Sequence, residues 1–192
     1  EIMPSLVGSE MCIRDRPVFE YSKEELRKRI GMVMQRAQLF SGTIRSNLKL
    51  GAESASDEQL WEALETAKAA DFVRGKPGGL DAPVSQNGRN LSGGQKQRLT
   101  IARALVTQPE ILILDDSSSA LDFATDAALR ESLSELHGKT TIFIVSQRAS
   151  SLRHADMIIV MDDGKIVGLG EHDELLSDCL VYREIYESQF GA

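Results

Sequence analysis

A short run of small and polar residues is the part of this chain best suited to hold a phosphate group. Residues 91–95 read Leu-Ser-Gly-Gly-Gln, in which Ser92 and Gln95 have the spacing of a helix-capping box. Gly93 and Gly94 let the backbone approach a ligand closely, and the N–H groups of the first helical turn point toward it. The helix dipole favours negative charge at the same end, so the run predicts an anion site.

A second group of residues could hold a divalent cation. Residues 111–116 read Ile-Leu-Ile-Leu-Asp-Asp, an apolar run that ends in two carboxylates. Such a run is typical of a buried parallel strand that carries its acidic groups to the C-terminal edge of a sheet. Carboxylate oxygens at that edge suit Mg²⁺ and a nucleotide phosphate. A helix cap or an ordinary loop aspartate is the alternative role for Asp115.

The pattern of elements around these motifs indicates an α/β fold. Beyond Pro109, strand-like runs at 111–114, 141–145 and 157–161 alternate with helical stretches, which predicts a parallel sheet. A further apolar run at 30–34 predicts a strand, and the turn at 162–165 predicts a hairpin. Residues 171–190 predict one terminal helix.

Composition restricts the classes of function. The net charge of −7 disfavours a broad nucleic-acid footprint, so we expect no nucleic-acid partner. Cys12 and Cys179 match no metal-binding spacing and are interpreted as free thiols. No apolar run approaches the roughly 20 residues that cross a bilayer, so any membrane role is expected to come through a partner segment.

Together the motifs resemble the ATPase domain of an ABC transporter. Residues 91–95 match its signature loop and residues 111–116 its Walker B strand. Gln35 matches the Q-loop glutamine, residues 119–122 (Ser-Ala-Leu-Asp) match the D-loop, and residues 146–148 follow the strand that leads to the switch loop. Residues 170–176 resemble the closing helix of exporter-type members.

The resemblance implies a RecA-like P-loop NTPase core with an inserted α-helical subdomain. The core is assigned to residues 17–45 and 105–192, and the helical subdomain to residues 46–104. The family's Walker A loop, G-x-x-x-x-G-K-[S/T], is absent, so the front part of the domain is expected to be missing. Residues 138–140, Gly-Lys-Thr, do not supply it, because they precede a strand and Leu133 stands where its first glycine belongs.

The first 16 residues do not continue the pattern of the remainder. They lack a helical or strand period and resemble a translated sequencing-adapter string, so residues 1–16 are interpreted as non-native. An ordinary disordered N-terminus is the alternative. They also lack the basic start and continuous apolar stretch of a secretory signal.

The resemblance also implies the cofactors, ATP and Mg²⁺, and a role for each motif. Asp115 would bind Mg²⁺, and Gln35 would complete the shell of the metal and the attacking water. The signature residues would hold the γ-phosphate of ATP bound to an opposing domain, and Asp122 would lie at the dimer seam; for both, a plain helix cap is the alternative. The residues implied to contact nucleotide are Ser92, Gly93, Gly94, Gln95 and Asp122.

Two residues depart from the family's catalytic pattern. The family's general base is a glutamate directly after the metal aspartate, whereas this chain has Asp116, whose side chain is one methylene shorter. Gln147 replaces the switch histidine, and an amide cannot carry positive charge or relay a proton. Both changes weaken the same step, and such a pair resembles the degenerate half of a heterodimeric ABC exporter.

The leading hypothesis is therefore the ATPase domain of an ABC exporter, which drives transport through ATP-dependent dimerisation. Its implied partners are a second ATPase domain and a transmembrane domain that holds it at the cytoplasmic face of the plasma membrane. A soluble ABC-type ATPase of translation or DNA maintenance is the runner-up, although the exporter-like residues 40–48 and 170–176 oppose it. A non-catalytic ATP-interaction module is the third, because without Walker A this chain alone is expected to be inactive.

Overall fold

The computed structural model describes residues 12–13 and 16–190. Its strands are β1 (Cys12–Ile13), β2 (Arg16–Pro17), β3 (Ile30–Val33), β4 (Gly42–Thr43), β5 (Pro83–Val84), β6 (Ile111–Asp115), β7 (Thr141–Val145), β8 (Ile158–Asp162) and β9 (Lys165–Gly170). Its α-helices are α1 (Lys23–Arg29), α2 (Ile44–Leu48), α3 (Asp57–Thr66), α4 (Ala70–Arg74), α5 (Gly93–Val106), α6 (Phe123–Ser134), α7 (His172–Asp178) and α8 (Leu180–Phe190). Most of the segment interpreted as non-native lies outside the described residues.

A parallel sheet of three strands, in the order β3-β6-β7, supports the predicted site. Ile30 pairs with Ile111, and Asp115 pairs with Val145, so the strands end at one edge. Leu112 and Leu114 point to the buried face of β6, where the alternation of the strand brings them into the core. The α/β prediction is confirmed.

Helices α2, α3 and α5 pack together and join the sheet in one hydrophobic core. Leu48, Leu60 and Leu64 are fully buried in it, together with Leu112 from β6. Each of these three helices begins with a hydroxyl residue that forms a capping box, so the first-turn N–H groups are satisfied locally. The bounds of the helical subdomain at residues 46–104 stay a prediction.

The prediction that the run at 157–161 joins the parallel sheet is wrong. Strand β8 pairs antiparallel with β9, as a separate sheet of two strands. The connection between β7 and β8, residues 146–157, has the length that a parallel crossover requires, but it contains a short 3₁₀ turn at Ala149–Ser151 in place of the usual α-helix. The tight turn at Asp163 and Gly164, both at positive φ, favours the hairpin instead.

The prediction of one helix over residues 171–190 is also wrong. Cys179 has extended backbone angles, φ −111° and ψ 105°, and separates α7 from α8. The Nε of Arg183 donates to the carbonyl of Leu176 at 2.7 Å, and its Nη2 donates to the carbonyl of Ser177. Because a side chain from α8 satisfies the terminal carbonyls of α7, the break leaves these groups bonded.

Apolar side chains stay at the surface on the second face of the parallel sheet. Met32 is 55% exposed, Phe143 53% and Val145 56%. They occupy alternate positions on β3 and β7, opposite the face that packs on the helices. Within the residues described, none of the helices has the length and apolar character that a bilayer crossing requires.

Candidate functional site

The ends of the three parallel strands bring the predicted catalytic residues to one edge of the sheet. Gln35 lies two residues beyond β3, Asp115 is the last residue of β6, and Gln147 lies two residues beyond β7. Gln35 and Asp116 are in direct contact, because the Nε2 of Gln35 donates to the Oδ2 of Asp116 at 2.9 Å. This edge is where ligands bind in open α/β sheets.

The backbone of Asp116 adopts an unusual conformation. Its φ of +42° lies in the left-handed region, which aspartate tolerates better than most other residues. Its N–H donates to the carbonyl of Val145 at 2.8 Å, and its own carbonyl accepts from the hydroxyl of Ser119 at 2.9 Å. These bonds to β7 and the D-loop fix the turn that directs the carboxylate toward Gln35.

The polar groups at this edge fit Mg²⁺ bound together with phosphate. Asp115 is half-buried at the strand end, and the carboxylate of Asp116 and the amide of Gln35 lie beside it. Among residues 12–13 and 16–190, no group of three or more His, Cys, Asp or Glu side chains could hold a metal by itself. Mg²⁺ sites commonly use one or two carboxylates together with waters and substrate phosphates.

The signature loop forms the predicted helix start. The Oγ of Ser92 accepts from the N–H of Gln95 at 3.2 Å, and the Oε1 of Gln95 accepts from the N–H of Ser92 at 3.1 Å. A side-chain carbon at Gly94 would lie 3.2 Å from the carbonyl oxygen of Ala120. The loop therefore lies against the D-loop, and the glycine permits this close approach.

Asp122 acts as the N-cap of α6. The N–H of Thr125 donates to its Oδ1 at 2.9 Å, and the hydroxyl of Thr125 donates to its Oδ2 at 2.8 Å. The pKa of Asp122 lies below its ordinary value, mainly because of the bond from the backbone N–H of Thr125 and secondly because of the bond from its hydroxyl. The carboxylate is therefore ionised at neutral pH. The structure shows a capping role, and the position of Asp122 at a dimer seam stays a prediction.

The switch loop, residues 146–148 after β7, contains a residue whose role was not expected from the sequence. Arg148, which follows Gln147, donates from Nη2 to the carbonyl of Ser119 at 3.3 Å. Its guanidinium lies 5.5 Å from the ring centroid of Phe123, within cation–π range. Arg148 thus ties the switch loop to the D-loop. Its only sequence signal is its place directly after Gln147.

Buried polar side chains of α5 and α6 form hydrogen bonds and an ion pair close to the site. Gln97 of α5 is 1% exposed, and its Nε2 donates to the carbonyl of Met34 at 3.4 Å, next to Gln35. Asp126 of α6 is 2% exposed and forms an ion pair with Arg130 at 3.1 Å. The buried hydroxyl of Ser151 donates to Asp126 at 3.3 Å, which connects α6 to the turn after the switch loop. Their signal in the sequence is weak, because single polar residues on helices are usually solvated.

Comparison with known proteins identifies the family. A family model described as ABC transporter matches residues 6–119, which include Gln35, the signature loop and the Walker B strand. The chain belongs to the ABC transporter family. The α/β architecture is accordingly the RecA-like P-loop NTPase fold of ABC transporter ATPase domains.

Several members of this ABC transporter family resemble the chain over nearly all of its length. An uncharacterized ABC transporter ATP-binding protein of Bacillus subtilis, YfiB, is 45% identical over 96% of the chain. An ATP-dependent lipid A-core flippase of Photobacterium profundum is 39% identical over 96% of the chain. A solved structure of a bacterial Atm1-family ABC exporter with ATP bound has a TM-score of 0.89 and 33% identity over 95% of the chain.

The relatives of this ABC transporter chain are much longer. The chain spans 32% of the length of the YfiB protein, of the flippase and of the solved exporter chain. They include an ATP-dependent flippase and an ABC exporter. Members of this family are generally ATPases that bind ATP with Mg²⁺.

Proposed function

We propose that this chain is the ATP-binding domain of an ABC exporter that acts as the degenerate half of a heterodimer. The observation that carries the proposal is the contact of Gln35 with Asp116 beside Asp115, at the edge where nucleotide phosphates bind. The likeness to an ATP-bound exporter and to a lipid A-core flippase supports the exporter class. The transmembrane domain of the same transporter holds the ATPase domain at the cytoplasmic face of the plasma membrane.

In the complete protein, a phosphate-binding loop precedes this chain and supplies the missing Walker A residues. Two observations support this part of the proposal. The chain spans only 32% of its relatives' length, and the exposed apolar side chains of Met32, Phe143 and Val145 offer a face on which a further layer packs.

At its own site, each residue of this chain has a defined task. Asp115 and Gln35 would provide oxygen ligands to Mg²⁺, which would neutralise charge on the phosphates. Asp116 occupies the position of the general base, and its carboxylate accepts a bond from Gln35. Because this carboxylate is one methylene shorter than that of glutamate, we expect it to fall short of an attacking water. Gln147 donates a hydrogen bond without carrying charge. This site therefore retains nucleotide and turns it over slowly.

The signature loop serves the site of the partner domain. Its helix, α5, is 14 residues long and begins with the capping pair Ser92 and Gln95. The N–H groups of Gly93 and Gly94 and the positive end of the helix dipole meet the γ-phosphate of ATP bound to the partner. The partner carries the glutamate and the histidine that this chain lacks, so hydrolysis occurs mainly there.

A cross-linking experiment tests this pairing. In the complete transporter, we expect Gly93→Cys to form a disulfide with a cysteine placed in the partner's phosphate-binding loop, and to do so only when ATP is present. A side-chain carbon at Gly93 meets Ala120 Cβ at 3.9 Å, an ordinary contact, so the substitution is accommodated.

Ser188→Cys is the matched control, because Ser188 is exposed on α8 and bonds only within its own helix. The yield of cross-linked heterodimer is measured on a non-reducing gel with and without ATP. A yield at Gly93→Cys that does not respond to ATP, or that equals the Ser188→Cys yield, argues against the proposed function.

A further inference from the structure

One side chain from the last helix holds the backbone of the switch loop at two points. The Nε2 of Gln189 donates to the carbonyl of Gln147 at 2.7 Å. The Oε1 of Gln189 accepts from the N–H of Ala149 at 2.9 Å. The amide thus pairs with the backbone on both sides of Arg148, in the way that one strand pairs with the next.

Aromatic packing fixes the end of α8 from which Gln189 extends. The Nδ1 of the buried His172 lies 2.8 Å from the hydroxyl of Tyr182, so α7 and α8 are joined by a hydrogen bond. His172 also packs on Tyr186 at 5.2 Å between ring centroids, and Tyr186 packs on Phe190 at 4.6 Å. Tilted rings in contact at these separations hold the last turns of the helix in one orientation.

The switch loop is held on its other sides as well. Arg148 reaches the D-loop carbonyl of Ser119, and Ser151 reaches the buried Asp126 of α6. Ala149 is 2% exposed, so its N–H has little access to water and depends on Gln189 for a partner. With Gln189 removed, the backbone that carries Gln147 loses the bonds on its α8 side.

We propose that Gln189 is a positioning residue of the ATPase site: through its paired bonds to Gln147 and Ala149, it sets the direction in which the residue at position 147 faces the γ-phosphate. Gln189 does not itself touch nucleotide. The role makes α7 and α8 part of the catalytic apparatus. It rests on the proposed function, since it concerns the switch residue of the same site.

The test uses the complete transporter with the partner's catalytic base removed and with Asp116→Glu and Gln147→His in this chain, so that only this site turns over. Adding Gln189→Leu is expected to lower kcat about tenfold, because small misplacements of reacting groups are costly. The KM for ATP stays within about twofold, since Gln189 makes no contact with nucleotide. Gln189→Glu is expected to behave similarly, because a carboxylate cannot donate to the carbonyl of Gln147.

Ser188→Ala is the matched control and is expected to leave kcat unchanged. A second readout does not depend on turnover: amide hydrogen exchange in the peptide covering residues 146–151. Gln189→Leu is expected to accelerate this exchange about tenfold, and Ser188→Ala to leave it as in the parent protein.

Unchanged exchange in Gln189→Leu overturns the proposal, whatever the turnover. Faster exchange with unchanged kcat also overturns it, because the two bonds from Gln189 then have only a structural role. A rise in KM alone places Gln189 in nucleotide binding and overturns it as well. If Asp116→Glu with Gln147→His gains no turnover, the proposed degenerate site fails, and unchanged exchange in Gln189→Leu then still overturns the role of Gln189.

Discussion

The paired substitutions Asp116→Glu and Gln147→His are expected to raise ATP turnover at this chain's own site by about 10²–10⁴-fold, the contribution of a positioned general base. The longer side chain at position 116 extends the carboxylate by one methylene toward the attacking water. The imidazole at position 147 restores a group that carries charge and relays a proton. The measurement is ATP turnover in the complete transporter whose partner lacks its own catalytic base.

The backbone conformation at Asp116 is expected to reduce this gain in ATP turnover. At a φ of +42°, a longer residue is less well tolerated than aspartate, and strained positions of this kind cost on the order of 1–3 kcal/mol. Asp163→Glu is the matched control, because Asp163 has a φ of +44° in the exposed hairpin turn. It makes the same change of side chain away from the site and is expected to leave turnover unaltered.

Each single substitution is expected to recover less than the pair, because base and switch residue act on one step and their effects do not add. Turnover that stays at the parent level in the double variant, while its thermal stability equals that of Asp163→Glu, contradicts the interpretation of this site as degenerate.

The substitution Gly94→Asp is expected to lower ATP turnover at the partner's site by about 10²–10³-fold, the loss seen when a preorganised donor to a reacting oxyanion is removed. The new carboxylate lies at the start of α5, where the γ-phosphate is proposed to bind, and repels it. Its Cβ also lies 3.2 Å from the carbonyl oxygen of Ala120, a close contact that requires a small shift of the D-loop. Turnover is measured in the complete transporter with an intact partner.

Gly75→Asp provides the comparison for this variant. Gly75 follows α4 at a φ of −72°, is exposed, and a side-chain carbon there makes ordinary contacts, the nearest at 3.5 Å. The same charge is added to the same chain, and turnover is expected to stay within about twofold because exposed substitutions away from a site have small effects. If Gly94→Asp and Gly75→Asp reduce turnover equally, the signature loop does not serve the partner.

The parts of the site that follow from local sequence were predictable. The capping pair Ser92 and Gln95 is specified by a spacing of three residues, and it forms as expected. The run at 111–116 was predicted to carry its carboxylates to the C-terminal edge of a parallel sheet, whereas the place of Gln35, 81 residues from Asp116, was implied by the family resemblance alone. For the capping pair and for the carboxylates, one geometric rule connects the pattern to the position.

The parts that depend on the path of the chain between elements were not predictable. The partner of β8 is decided by the connection after β7, which lacks an α-helix, and by the turn at Asp163, which compete with the general rule for alternating elements. The break at Cys179 depends on Arg183, whose bonds to the last carbonyls of α7 form only when α8 folds back.

The contacts of the switch loop illustrate the same limit within the site. Gln189 lies 42 residues beyond Gln147 and has no neighbouring motif. Its amide is placed by the ring contacts among His172, Tyr186 and Phe190, which the sequence presents as separate aromatic residues. A glutamine on a terminal helix is ordinarily a solvated residue, and only the three-dimensional arrangement distinguishes this one.

The central claim, that this chain retains ATP while its partner hydrolyses it, is tested most directly by asking which chain keeps the γ-phosphate. The unmodified complete transporter is incubated with photoreactive azido-ATP labelled at either the α- or the γ-phosphate, washed free of nucleotide and cross-linked by light. We predict that this chain retains the γ-label as strongly as the α-label, whereas the partner retains the α-label alone. Loss of the γ-label from both chains at the same rate would contradict the claim.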